Sequence, residues 1–194
     1  MKPLPGNGNS EPSQRSAADD SEIQYLFERL QQLLSARRIE VKQKWERLLP
    51  CGDYLMDRWA KAQAAGLGEG TSVYDSSLIL GEVRVGRHTW IGPSTVLDGS
   101  GGLIIGDFCS ISAGVQIYTH DSVKWAISGG GAPFEQAPVR IGNRCYLGPN
   151  AVITKGIEIG DGCVIGANSL VNRSVPSGMK AWGTPARIVG EVEN

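Results

Sequence analysis

The sequence has no charge surplus, no long apolar run and no clustered cysteines, and each lack removes a class of protein. Lys and Arg number 19 against 20 Asp and Glu, for a net charge of −1. Nucleic acid and anionic membrane both select a basic face, so neither is expected as a main partner. No run of about twenty apolar residues occurs, so no membrane span is expected. The opening stretch MKPLPGNGNSEPSQRSAADD has no apolar core of signal-peptide length, and a cytoplasmic location is expected. Cys51, Cys109, Cys145 and Cys163 show no CxxC or other metal-ligand spacing. No metal is therefore expected, and the thiols are expected to be buried and reduced. Histidine is scarce, with only His88 and His120. Glycine, at 26 residues without low complexity, points to many tight turns.

Residues 1–20 are rich in Pro, Gly, Ser and Asn. They carry too little apolar surface to offset chain entropy, and disorder is expected there. Residues 21–70 read as a helical region. Ser21 and Gln24 have capping-box spacing, and Ile23, Leu26, Leu30, Leu33 and Leu34 fall on one stripe. A second stretch carries Val41, Trp45, Leu48 and Leu49, with Pro50 ending it. A third helix is expected to start at Asp53, to bury Leu55, Trp59 and Ala62 on one face, and to end at Gly66. All three stripes read as core packing.

From Val73 the pattern changes. An aliphatic residue recurs at every sixth position: Val73, Ile79, Val85, Ile91 and Leu97. After a two-residue slip it resumes at Ile105, Ile111 and Ile117. After a longer break it returns at Ile141, Leu147, Ile153, Ile159, Ile165 and Val171. A period of six fits neither helix nor simple strand; it fits a short strand plus a turn, repeated as a parallel β-helix. With three hexads per coil, positions eighteen apart stack. Ile141 then lies on Ile159, Leu147 on Ile165, and Cys145 on Cys163, the last pair as interior spacers. Fourteen hexads make nearly five coils. The open ends need cover, which the helices and the tail VPSGMKAWGTPARIVG can supply.

The run IGNRCYLGPNAVITKGIEIGDGCVIGANSLV, followed by GTPARIV and preceded by THD and an interrupting loop, resembles the hexapeptide-repeat acyltransferases. The likeness is greatest to bacterial acetyl-CoA-dependent O-acetyltransferases of sugars, antibiotics and surface polysaccharides, and it covers roughly residues 70–190. The resemblance implies a mainly β fold: a left-handed parallel β-helix over 71–190 with a protruding loop at 121–138. It also implies a homotrimer with active sites in the clefts between subunits, and acetyl-CoA as donor.

Acyl transfer to an alcohol needs a base, an oxyanion donor and aligned substrates. Imidazole suits the first task because its ordinary pKa lies near working pH. His120 stands where the repeat opens, and the match at YTH makes it the expected catalytic base. His88 is expected at the surface or the trimer interface. The resemblance places CoA against Gly148, Gly166, Ala167, Arg173 and Arg187: the glycines allow close backbone approach, and the arginines suit phosphate. It places the acceptor near Asp98, and Tyr118 and Trp125 are the aromatic residues expected to stack on a sugar ring there. Two departures stand out. Pro149 has no N–H for an oxyanion, and Asp121-Ser122 follows His120 where many relatives have a second histidine. Tyr146 also replaces a common tryptophan.

The expected reaction is acetyl transfer to a hydroxyl of a sugar or surface-polysaccharide precursor. The near alternative is N-acetylation of an amino sugar or nucleotide-sugar. The alternative of another class is a non-catalytic β-helix scaffold or binding module. A γ-class carbonic anhydrase needs three histidine ligands, and this chain has two. Acyl-carrier-protein-dependent relatives carry a larger helical C-terminus than the segment found here.

Overall fold

The computed structural model describes residues 17–193, and the side chains from Asp20 onward. The described residues form two compact units that divide between Leu49 and Pro50. In the first, helix α1 runs from Ala17 to Trp45. Residues 1–16 of the expected disordered tail lie outside the described residues, whereas 17–20 are helical. Ser21 therefore lies inside α1 rather than capping it, and the two expected helical stretches join into one. Glu46, at φ 52°, follows its end. The expectation of core packing fails here. None of the described α1 side chains is buried, and Ile23, Leu26, Leu30 and Leu33 are exposed.

The second unit opens with two short helices, α2 (Gly52–Leu55) and α3 (Arg58–Ala64). Asp57, not Asp53, caps α3, accepting from the amides of Trp59 and Ala60 at 3.0 Å each. Asp53 sits inside α2 and accepts the amide of Asp75 at 2.7 Å. Of the expected apolar face only Ala62 is buried; Leu55 and Trp59 are exposed. Gly66, at φ 68°, ends the segment as its freedom from a Cβ allows.

Beyond it the hexads wind as a parallel β-helix with three faces. The first face stacks Ser72–Val73, Trp90–Ile91, Ser110–Ile111, Tyr146–Leu147, Val164–Ile165 and Met179–Gly183. Val73 pairs with Ile91, Ile91 with Ile111, Ile111 with Leu147, and Leu147 with Ile165. The second face carries Leu97, Ile117, Ile153 and Val171 in register. The third carries Val85, Ile105, Ile141 and Ile159. Ile91, Leu97, Ile111, Ile117, Leu147, Ile153 and Ile165 are fully buried. In the regular hexads the residue four positions after the aliphatic one, mostly small, fills the axis; Thr95, Val115, Ala151 and Cys163 are likewise sealed from water.

The corners have one backbone device. The residue three after the aliphatic one adopts positive φ in turn after turn: His88, Ser94, Phe108, Arg144, Asn150 and Asn168, with glycine at 70, 114, 156 and 162. Only glycine reaches that region without cost, with asparagine the next most tolerant, which explains where many of the glycines fall.

Both ends of the column are covered. Ala62 and Leu67 join the core at the first rung. The Lys61 ammonium donates to the carbonyls of Tyr74, Asp75 and Ser77 at 3.1, 2.6 and 3.0 Å, satisfying acceptors that no earlier coil meets. At the other end the tail adds a sixth rung, Met179–Gly183, and folds Ala186–Glu191 antiparallel against it. Cys109, Cys145 and Cys163 are buried free thiols, as expected, but Cys51 is exposed, because it lies in the turn before α2 rather than on the column. Among the described residues, no helix is long and apolar enough to cross a membrane.

Candidate active site

Two irregularities of the repeat meet at one corner. Leu97 stacks on Ile117, so the slip after Leu97 and the break after Ile117 lie one coil apart, where the second face turns into the third. In regular hexads the residue after the aliphatic one is commonly glycine. At the slip it is Asp98, fully buried. At the break the chain leaves the column as a loop. Its base is two short antiparallel strands, His120–Asp121 and Glu135–Gln136, with His120 opposite Gln136 and Asp121 opposite Glu135. Helix α4 (Val123–Ile127) lies between them.

Asp98 and His120 form a dyad. Nδ1 of His120 lies 2.7 Å from Oδ2 of Asp98. The carboxylate also accepts the Ser100 amide and hydroxyl at 3.0 and 2.5 Å and the Thr119 amide at 2.8 Å. Burial alone would push its pKa up. The donors from Ser100, Thr119 and His120 outweigh burial and hold it well below the usual carboxylate range. Asp98 is thus an anion near neutral pH. That assigns the ring proton to Nδ1 and leaves Nε2 free to accept another. Phe134 stacks beside the ring at 6.3 Å between centroids and 28° between planes.

His120 lines a cavity of about 440 Å³ with Tyr118, Asp121, Val123, Thr154 and Lys155. The Tyr118 hydroxyl donates to Gln116 Oε1 at 2.7 Å. Of the residues expected near the acceptor, Tyr118 lines this cavity. Asp98 does not touch it: with no exposed surface it stands behind His120 as the partner of the ring, because the slip turns it inward. Trp125 does not line it either. It sits on α4 and meets Phe134 edge-on at 5.7 Å.

The expected CoA residues form two groups. Arg173 and Arg187 share a cavity of about 200 Å³ beside Ser174 and Ala186. Gly148, Gly166 and Ala167 meet at a different corner, between the first and second faces. A Cβ on Gly148 would lie 2.6 Å from the Ala167 nitrogen, and one on Gly166 2.6 Å from Cβ of Trp182. The next coil therefore already requires glycine at both positions. His88 lies at a corner on the third face's far side, its ring stacked on Phe108 at 5.1 Å.

Thr119 and Lys155 were not among the residues singled out from the sequence. Thr119 is fully buried, and its hydroxyl accepts the Gly101 amide at 2.8 Å, tying the slip to the break. The available signal was that the two interruptions of the period are one coil apart. Among the described residues, no group of three or more His, Cys, Asp or Glu side chains is placed to hold a metal ion.

Comparison with known proteins extends these features. The family described as "Bacterial transferase hexapeptide (six repeats)" matches residues 138–173, and "Hexapeptide repeat of succinyl-transferase" matches residues 82–119. Nodulation protein L of Rhizobium meliloti (strain 1021) is 41% identical over 108 residues, which cover 56% of this chain and 59% of that protein. The hexapeptide-repeat containing acetyltransferase VCA0836 from Vibrio cholerae has the same fold at a TM-score of 0.61 and 28% identity, over 86% of this chain and 93% of that one. Its complex with acetyl coenzyme A aligns at a TM-score of 0.57 and 26% identity, over 92% and 91%. AntD, an N-acyltransferase from Bacillus cereus in complex with dTDP and 3-hydroxybutyryl-CoA, shares the fold at a TM-score of 0.59 and 24% identity, over 66% and 72%.

Proposed function

From the premise that this chain belongs to the hexapeptide-repeat acyltransferases, we propose that it transfers an acetyl group from acetyl-CoA to a hydroxyl of a sugar or surface-polysaccharide precursor. His120 is the general base. The observation that carries this reading is the dyad: a buried, ionised carboxylate on one ring nitrogen, with the other nitrogen free beside a cavity of ring size.

The steps follow from that geometry. Nε2 of His120 takes the acceptor hydroxyl proton as the oxygen attacks the thioester carbonyl carbon. The resulting imidazolium is stabilised by Asp98, which stays ionised throughout. Collapse of the tetrahedral intermediate breaks the C–S bond, and the proton on Nε2 passes to the departing thiolate. No covalent enzyme intermediate is needed. Tyr118 offers an aromatic wall and a hydroxyl to the acceptor. The cavity shared by Arg173 and Arg187 suits the phosphates of CoA. Gly148, Gly166 and Ala167 keep one corner slim for a pantetheine arm. That corner is distinct from the one bearing His120, which supports a homotrimer in which one subunit's corner faces another's base. The acetyl-CoA complex of the Vibrio cholerae relative supports the choice of donor.

A thiol-release assay with acetyl-CoA and a panel of sugars, amino sugars, nucleotide-sugars and polysaccharide fragments tests the reading. His120→Ala is expected to lower kcat by about 10²–10⁴; near-full turnover by that variant removes His120 from the chemistry. Release with amino sugars alone would move the acceptor from oxygen to nitrogen. No release, together with no stabilisation by CoA, would favour the scaffold.

A further inference from the structure

Lys155 lies on the rigid column, two residues after Ile153, and takes no part in the steps above. Its corner is fixed by backbone bonds on either side: Thr154 N–H donates to Val171 O at 3.1 Å and Gly156 N–H to Ala137 O at 3.3 Å. From there its ammonium reaches both strands at the base of the loop. It pairs with Asp121 on one strand and with Glu135, at 3.1 Å, on the other. These two carboxylates stand opposite one another in the strand pair, next to His120 and Gln136. Glu135 is also bound from within the loop by Lys124 of α4, and Asp121 Oδ1 accepts the Val123 amide at 3.1 Å where α4 starts. Phe134, which flanks the His120 ring, is the neighbour of Glu135.

We propose that Lys155 is a positioning residue: a clasp that ties the base of the loop to the column and so fixes the His120 ring against Asp98. One cation at the centre of two carboxylates does what neither pair does alone, because it holds both strands to the same point. The groups are partly exposed, so the pairs add little to global stability. Their effect is geometric. Without the clasp, the His120 ring keeps Asp98 on one side but loses the fixed position of Phe134 on the other. The charges close on themselves, two lysines with two carboxylates, so the cavity beside His120 presents no uncompensated charge from this cluster. The catalytic part of this inference rests on His120 as base; the mechanical part does not.

The test uses the full chain with Lys155→Met and Lys155→Arg, read in two ways. Amide hydrogen exchange needs no substrate. Exchange across residues 119–137, including the Ala137 amide, is expected to rise about tenfold in Lys155→Met and to return towards wild type in Lys155→Arg, with little change in melting temperature. Unchanged exchange in Lys155→Met overturns the clasp, whatever the reaction proves to be. In the transfer assay kcat is expected to fall about 10–100-fold in Lys155→Met, the scale of a misplaced catalytic group. KM for acetyl-CoA and for the acceptor should stay within about twofold, and Lys155→Arg should recover most of kcat. A rise in acceptor KM at unchanged kcat would make Lys155 a substrate contact and overturn the positioning role. If the wild-type protein transfers no acetyl group at all, the reading of function fails while the exchange data still decide the clasp.

Discussion

Keeping a carboxylate charged away from water is costly unless donors replace the lost hydration. Asp98 meets that condition through the Ser100 amide and hydroxyl, the Thr119 amide and the His120 ring. Asp98→Asn preserves the shape but offers His120 an amide in place of an anion, so the ring tautomer is no longer fixed. The expected result is a fall in kcat approaching that of His120→Ala, with KM for acetyl-CoA little changed, measured in the same assay. The same residue predicts a pH effect on stability. Its folded pKa lies below the ordinary value. Its contribution is therefore fully present above the ordinary carboxyl range and is lost as pH falls through that range towards the folded value. Melting temperature followed from neutral to acid pH should fall more steeply in the wild type than in Asp98→Asn; equal slopes would show that Asp98 is not the group being titrated.

Among the elements, the corner turn decides which substitutions the column tolerates. Arg144 and Asn150 both occupy positive φ, a conformation that costs a side-chain-bearing residue about 1–2 kcal/mol. Arg144→Gly is therefore expected to preserve or raise the melting temperature, against the usual effect of adding glycine. Asn150→Val, which puts a β-branched residue in the same conformation, is expected to lower stability by about 1–2 kcal/mol. Denaturant titration of the two variants checks the pair, and a loss in both would show that the corners are not limited by backbone strain. The hexads, their stacking and the interior place of Cys145 and Cys163 were legible in the sequence, because a period of six leaves one way to bury the aliphatic residue of every turn. The short helices were less so. Asp53 has the chemistry of a cap, yet Asp57 caps α3, and both start a local apolar pattern; only packing against the first rung selects between them.

For the whole molecule, the open ends and the assembly matter. Lys61 satisfies three carbonyls at the first rung. Lys61→Met should leave them without that donor, lower stability by about 1–3 kcal/mol, and favour association through the uncovered edge. Calorimetry and light scattering measure both effects; a wild-type melting temperature would remove Lys61 from the cap. Assembly is a prediction of the same scale: sedimentation equilibrium should give three times the mass of one chain, and a monomer carrying full transferase activity would overturn the shared-cleft reading.

By itself the sequence determined that a regular column forms, where it breaks and that an imidazole stands at the break, because hexad periodicity is a local property that each coil repeats. Only the tertiary structure decided what Asp98, Phe134 and Lys155 do. Asp98 looked like a residue for the acceptor and is the buried partner of His120. Phe134, on the inserted loop, lies beside the ring. Lys155, unmarked by any motif, joins two strands that it meets 20 and 34 residues away along the chain. Such contacts depend on which corners are stacked and on where the loop returns, and a repeat with two interruptions does not encode the path of the inserted chain in its period.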